Sequence, residues 1–251
     1  MDHSTALIDR IDHVFVPLAA AAAGMQLLID LGLPSAWPYS DYGGFASGAV
    51  NLGNLNLEFV ADSELSGAFR ASTPARVQGI AFTPAAHIDD SWLAEIDRRG
   101  IGHDGPLTFG PPGGVQFTNV AFEGLSDIRT TVFACEYHDP RVIDLEWRAG
   151  ALAAVSGGRL GVRRVQEIVI GATDPDAAAG RWRQLLDPLP RSGPGRWRFP
   201  AGPALRIVAA EADGVQALVV AVADPDSAAT TLKAADPVAL GGLELRFVAV
   251  E

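Results

Sequence analysis

The sequence predicts an α+β fold of about four tandem βαβββ modules, paired as curved mixed sheets around a concave cleft. Three observations carry this. First, four segments share one shape: RIDHVFVPLAAAAAGMQLLIDLGL from Arg10, RVQGIAFTPAAHIDDSWLAEIDRRGI from Arg76, RVQEIVIGATDPDAAAGRWRQLL from Arg164 and GVQALVVAVADPDSAATTLKAA from Gly214. Each runs from an apolar strand through a short turn into a stretch with helical periodicity. Second, Val-Gln recurs at the same place in three of them, as Val77-Gln78, Val165-Gln166 and Val215-Gln216. Third, short apolar or alternating runs separated by Gly and Pro follow each helix.

In the first module, Gly53-Asn54 marks a turn between two strands, the second of which closes on Leu57-Glu58-Phe59. The second module continues through GGVQFTNVAFEGL and RTTVFACEYH. In the third and fourth, Asp174-Pro175-Asp176 and Asp224-Pro225-Asp226 supply an Asp N-cap and a proline at the first helical position. The fourth copy has room for fewer strands. Residues 8–150 form the first pair of modules and residues 160–251 a second, degenerate pair, with the Ala- and Gly-rich stretch Gly150 to Arg163 read as the linker.

Composition narrows the partners. A net charge of −11 argues against nucleic acid, whose phosphates need clustered Lys and Arg. The apolar stretch from Val14 to Gly24 is broken by Pro17 and too short to span a membrane. The single cysteine, Cys135, permits no intrachain disulfide and, without a leader-like start, points to a cytoplasmic protein. Its partner class is a small molecule, and the chain is a monomer or homodimer.

Strand parity nominates the site. Ile11, His13 and Phe15 share one face of the first strand, opposite Asp12, Val14 and Val16. Asn54, Asn56 and Glu58 share a face of the strand that ends the module, opposite Leu55, Leu57 and Phe59. In the second module Ala134, Glu136 and His138 oppose Phe133, Cys135 and Tyr137, so Cys135 reads as a buried small hydrophobe. Asn119, between Phe117 and Ala121, is placed to reach a ligand. Trp37, Tyr39 and Tyr42 lie in the loop after the first helix, as a pocket lid or as packing. His87 and His103 read as surface residues, and His3 as part of a frayed terminus.

Tandem modules opening on Ile11-Asp12-His13, closing on Leu57-Glu58-Phe59 and carrying Cys135-Glu136-Tyr137-His138-Asp139-Pro140 leading to Trp147-Arg148 resemble the vicinal oxygen chelate superfamily, in particular its glyoxalase-like members. The resemblance implies that the first and last strands of a module are neighbours, which sets His13 beside Glu58. It also implies a cleft that binds a small oxygenated molecule. His13, Glu58 and His138 are then candidate metal ligands, Glu136 a candidate catalytic group, and Asn56, Asn119 and Tyr42 candidate substrate contacts. Imidazole with carboxylate suits Zn, Fe, Mn, Ni or Co, and such a metal would serve lyase- or isomerase-type chemistry. The positions equivalent to His13 in the later modules are Gly79, Glu167 and Ala217, which leaves a symmetric four-ligand site incomplete. A metal-free binding or sequestering protein is the alternative, and a purely structural module a third.

Overall fold

The computed structural model describes residues 6–18, 20–41, 46–61, 79–110, 116–126, 130–139, 144–235, 240 and 243–250. The first module runs β1 (Ile8–Leu18), α1 (Ala21–Asp30), β2 (Ser35–Asp41), β3 (Ala46–Asn51) and β4 (Asn56–Ala61). The second runs β5 (Gly79–Pro84), α2 (Asp90–Arg98), β6 (His103–Phe109), β7 (Phe117–Phe122) and β8 (Thr131–Tyr137). Helix α3 (Leu145–Ala154) and a 3-10 turn (Gly158–Leu160) lead to the third: β9 (Val162–Ala172), α4 (Pro175–Leu186), β10 (Arg191–Gly193), β11 (Arg196–Trp197) and β12 (Ala204–Ala209). The fourth is the shortest, with β13 (Gly214–Val222), α5 (Pro225–Ala234) and β14 (Glu244–Ala249). Among the described residues no helix is long and apolar enough to cross a membrane.

These strands form two mixed sheets, ordered β2-β3-β4-β1-β5-β8-β7-β6 and β10-β11-β12-β9-β13-β14. One rule builds both. The last strand of each module lies parallel to its first, and the two first strands of a pair meet antiparallel at the centre. The α+β architecture of tandem modules expected from the repeat is therefore present.

Helix starts follow local chemistry. Asp174 accepts a hydrogen bond from the Ala177 amide, and Asp224 accepts from Asp226 and Ser227, with proline in the first turn of each helix. Two sequence readings need correction. The segment Ser35–Asp41, read as a loop, is an edge strand hydrogen-bonded to β3. The stretch read as a linker from Gly150 holds the second half of α3: Asp144 caps that helix through the amides of Glu146 and Trp147, and alanines sustain it.

Each sheet carries helices on one face, and these faces share one core. Phe82 of β5 lies 6.1 Å from Trp182 of α4 and 6.0 Å from Phe199, ring centre to ring centre. Arg99, just past α2, donates through Nη1 to the carbonyls of Gln184, Leu185 and Asp187, completing the C-terminal turn of α4. Asn54 in the β3–β4 turn grips Val165 of β9 twice, donating to its carbonyl at 2.9 Å and accepting from its amide at 2.8 Å. The opposite face of each sheet carries no helix and is called its open face; in the first sheet its central residues are nonetheless buried, with Phe15 7% and Asn56 2% exposed.

Removing the Asn54 amide strands both backbone groups of Val165. Asn54→Ala is expected to lower stability by about 2 kcal/mol, seen as a lower urea midpoint with an unchanged denaturant slope.

Candidate functional site

A β-bulge aims the central histidine. Ile11 pairs with Phe82 and His13 with Ala81, so Asp12 is an extra residue in β1. Ile11 is consequently turned into the core and His13 to the open face, rather than both sharing one face as simple alternation predicts. Phe15 follows His13 on that face. Parallel pairing sets His13 opposite Asn56 and Phe15 opposite Glu58, which brings the two motifs of the first module together. His13 Nε2 stands 3.4 Å from Glu58 Oε2.

The bulge also places Asp12 behind His13. Asp12 Oδ2 accepts from His13 Nδ1 at 2.8 Å, while Asp12 Oδ1 accepts from Arg148 Nη2 of α3 at 2.8 Å. Arg148 Nη1 also reaches the Asp12 carbonyl. All four members of this chain are buried: Arg148 is 1% exposed, Asp12 0%, His13 4% and Glu58 8%. Burial alone would push the Asp12 carboxyl up, but the charges and hydrogen bonds of Arg148 and His13 override it. They hold Asp12 well below the usual carboxylate range. An ionised Asp12 can only accept, so Nδ1 carries the proton and Nε2 faces Glu58. Glu58 shifts the other way. Burial raises it, helped by the charge of Asp12, and His13 and the Ser47 hydroxyl offset this only in part.

The second module departs from this pattern. Its register pairs Gly79 with Thr131 and Ala81 with Phe133, as β1 pairs His13 with Asn56 and Phe15 with Glu58. Gly79 and Phe133 thus occupy the places of His13 and Glu58. A Cβ on Gly79 would fall 1.6 Å from Cε1 of Phe15, because that ring fills the space a ligating side chain would need. Phe133 meets His13 edge-on at 5.8 Å, and Trp37 meets it edge-on at 6.1 Å from the other side.

The structure does not bring Glu136 and His138 to His13. Glu136 pairs with Thr118, on the same face as Val120, Phe122, Val132 and Ala134, which pack under α2. There Glu136 accepts from His87 Nδ1 at 2.5 Å and from the Ile88 amide, and His138 Nε2 meets the Thr118 hydroxyl at 2.9 Å. Parity identifies the two sets of side chains in β8 but not which set faces the helix. The open face instead takes Phe133, Cys135 and Tyr137, with Phe117, Asn119 and Ala121 beside them. Cys135 is buried as expected, and burial pushes its thiol well up. Asn56 and Asn119 both belong to the open face, while Tyr42 lies outside the described residues.

The donor set does not suit the metal that the resemblance implies. His13 and Glu58 supply two groups, and the matching positions in the second module are a glycine filled by an aromatic ring and a phenylalanine. Among the described residues no cluster of three or more His, Cys, Asp or Glu is arranged to hold an ion. The face is suited to a different task. Trp37, Phe15 and Phe133 surround the histidine, and Phe109, Phe117 and Tyr137 form a second aromatic row, with centroids 5.5 and 5.9 Å apart. On the same face the buried amide oxygens of Asn56 and Asn119 have no hydrogen-bond partner among the described residues, and buried acceptors of this kind call for a donor. Sequence reasoning gave Asp12 and Arg148 no role in the site, although both stand in the motifs that carry the resemblance and an aspartate among apolar residues of a central strand was a further signal.

Two stability tests follow. Arg148→Met leaves Asp12 buried without its counter-charge and is expected to cost about 3–5 kcal/mol, largely recovered by adding Asp12→Asn. In the wild type the lowered Asp12 group contributes stability that is present above the ordinary carboxylate range and lost as pH falls through its folded value. Glu58 has the opposite sign: being raised, it favours the fold at acid pH and loses that contribution as pH rises. Glu58→Gln is therefore expected to stabilise the protein at neutral relative to acid pH, read from urea midpoints across that range.

Comparison with known proteins places the fold. No protein-family profile matches the chain, and no curated protein does. A hypothetical protein from Staphylococcus aureus superposes with a TM-score of 0.64 at 10% identity, covering 96% of this chain and 99% of that one. Homoprotocatechuate 2,3-dioxygenase from Arthrobacter globiformis gives 0.53 at 12% identity, with 96% and 71% covered. The E323L mutant of the Brevibacterium fuscum enzyme gives 0.54 at 10% identity, and this chain spans 64% of its length. The chain has the vicinal oxygen chelate fold.

Proposed function

We propose that the open face of the eight-stranded sheet binds a small hydroxylated aromatic molecule without a metal, with the His13–Glu58 pair as its polar anchor. The observation that carries this reading is the Phe15 ring standing where the second module would place a ligand at Gly79. Aromatic side chains on both sides of His13 offer edge and face contacts to a planar ring. The unpaired oxygens of Asn56 and Asn119 ask for hydroxyl or N–H donors. His13 and Glu58 can pass a proton to or from such a group, because the Asp12–Arg148 pair fixes the tautomer and burial raises the Glu58 carboxyl above its ordinary value. Tyr42 remains a proposed ligand contact. A solved relative from Brevibacterium fuscum is a complex with 3,4-dihydroxyphenylacetate, which makes that compound a rational first probe.

A metal-dependent lyase or isomerase is the competing reading. It is supported by a histidine whose Nδ1 is braced by a carboxylate, as metal-binding histidines commonly are. One experiment separates the two. Chelator-treated protein is titrated with 3,4-dihydroxyphenylacetate and related phenols, following tryptophan fluorescence, with Trp37→Phe to assign the signal. Saturable binding that weakens about tenfold in His13→Ala and in Asn56→Leu is expected. Binding that appears only after a divalent ion is restored, with one ion per chain retained, would sink the metal-free reading.

A further inference from the structure

The six-stranded sheet has its own open face, and its chemistry is different. The parallel register of β9 with β12 pairs Glu167 with Ala204 and Val169 with Arg206, so Glu167 and Arg206 stand where His13 and Glu58 stand in the first sheet. Arg196 of β11 lies directly opposite Arg206. Like charges directly opposite on neighbouring strands repel. Here a single carboxylate is shared between them: Glu167 Oε1 is 2.8 Å from Arg196 Nε, and Oε2 is 2.8 Å from Arg206 Nε.

Glu167 is 5% exposed, whereas both arginine side chains remain 37% exposed. Each guanidinium is held through its inner nitrogen. Among the described residues the terminal amino groups of both have no partner. The Arg196 Nε contact is moreover poorly aligned, since Nε and Oε1 are both left without a geometrically sound hydrogen bond. Arg246 of β14 belongs to the same face, opposite Val219, which in turn is opposite Glu167, and its own charge is met by Glu244. Arg164, opposite Ala221, adds a further guanidinium to this face, so arginines outnumber carboxylates here on a chain whose net charge is −11.

We infer that Arg196 and Arg206 form an oxyanion-binding site on the open face of the second sheet, receiving a carboxylate or phosphate group between their terminal amino groups. Glu167, buried between them, engages only the inner nitrogen of each guanidinium and competes with an incoming oxyanion for their charge. An incoming oxyanion would relieve the repulsion that one carboxylate cannot cancel, and paired guanidiniums match the geometry of two oxygens. This site is separate from the aromatic cleft of the first sheet and does not depend on the function proposed for it.

Calorimetric titration of the full chain with inorganic phosphate and with succinate, at constant ionic strength, tests the inference. Saturable binding of at least one is expected, and the preferred ion tells phosphate from carboxylate. Arg196→Gln, which leaves the Arg206–Glu167 pair intact, should weaken it about tenfold. Glu167→Gln should tighten it, because the competing charge is gone while both arginines remain. Arg183→Gln, which alters an exposed arginine on α4, should leave it unchanged. Absence of saturable binding by either ion would overturn the site and leave a structural ion triad. An equal loss in Arg183→Gln, or weaker binding in Glu167→Gln, would overturn it as well.

Discussion

The buried pair between Arg148 and Asp12 ties together the parts of this molecule that matter to its first open face. Two charges withdrawn from water are costly, and mutual attraction alone does not reliably repay that cost. The surroundings supply the rest. Asp12 also accepts from His13, and the Arg148 backbone carbonyl accepts from the side-chain amide of Asn51 at 2.7 Å. That second contact fixes α3 against the end of β3, so the guanidinium is delivered from a helix that is itself anchored to the sheet. The pair thereby couples the connection between the two sheets to the orientation of one imidazole.

One extra residue in β1 makes this coupling feasible. Without the bulge, Asp12 would sit in regular alternation and His13 would share a face with Ile11, in the core. With it, one strand buries Ile11 and Val14, turns His13 and Phe15 outward, and tucks a carboxylate behind the imidazole. Bulges at a sheet centre interrupt its ladder, and this one has its counterpart in β9, where Val165 pairs with Val220 and Glu167 with Val219, so that Gln166 is the extra residue. The paired sheets thus share the irregularity as well as the topology. In the first sheet it aims a side chain; in the second the equivalent position is Glu167, aimed at two arginines.

Much of the architecture was legible because it rests on local signals. Asp-Pro-Asp starts, the Val-Gln strands at Val165 and Val215 and the Gly53-Asn54 turn are each written in a few neighbouring residues and mark real elements, while Val77-Gln78 lies outside the described residues. The neighbourhood of His13 and Glu58 came from resemblance, and the parallel register of β1 and β4 accounts for it physically. Three features were out of reach for the same underlying reason. Arg148 lies 136 residues from the carboxylate it meets. The bulge changes nothing in composition, and parity restarts after it. The orientation of β8 depends on which of its faces α2 covers, so Glu136 and His138 could be separated from Phe133 and Cys135 but not placed. The Ala-rich start of the supposed linker misled for the opposite reason: small residues suit a helix as well as a tether.

The four modules show what such a fold holds fixed and what it leaves open. At the start of the parallel pairing they carry His13, Gly79, Glu167 and Ala217, and two residues along the last strand they carry Glu58, Phe133, Arg206 and Arg246. No two modules agree at the first place, and only the third and fourth, both arginine, agree at the second. The helix-facing residues that flank the last-strand positions in the first three modules, Leu57, Phe59, Val132, Ala134, Leu205 and Ile207, are apolar, because that face must be packed and a polar residue there needs a partner of its own. Open-face positions escape this constraint as a set, but not one at a time. His13 needs Asp12 and Glu58, Glu167 needs its two arginines, and Gly79 must stay small because Phe15 has taken its space. Each module's chemistry is therefore exchanged in interlocking pairs. That is why a glycine and a phenylalanine in the second module bear directly on what His13 and Glu58 can do in the first.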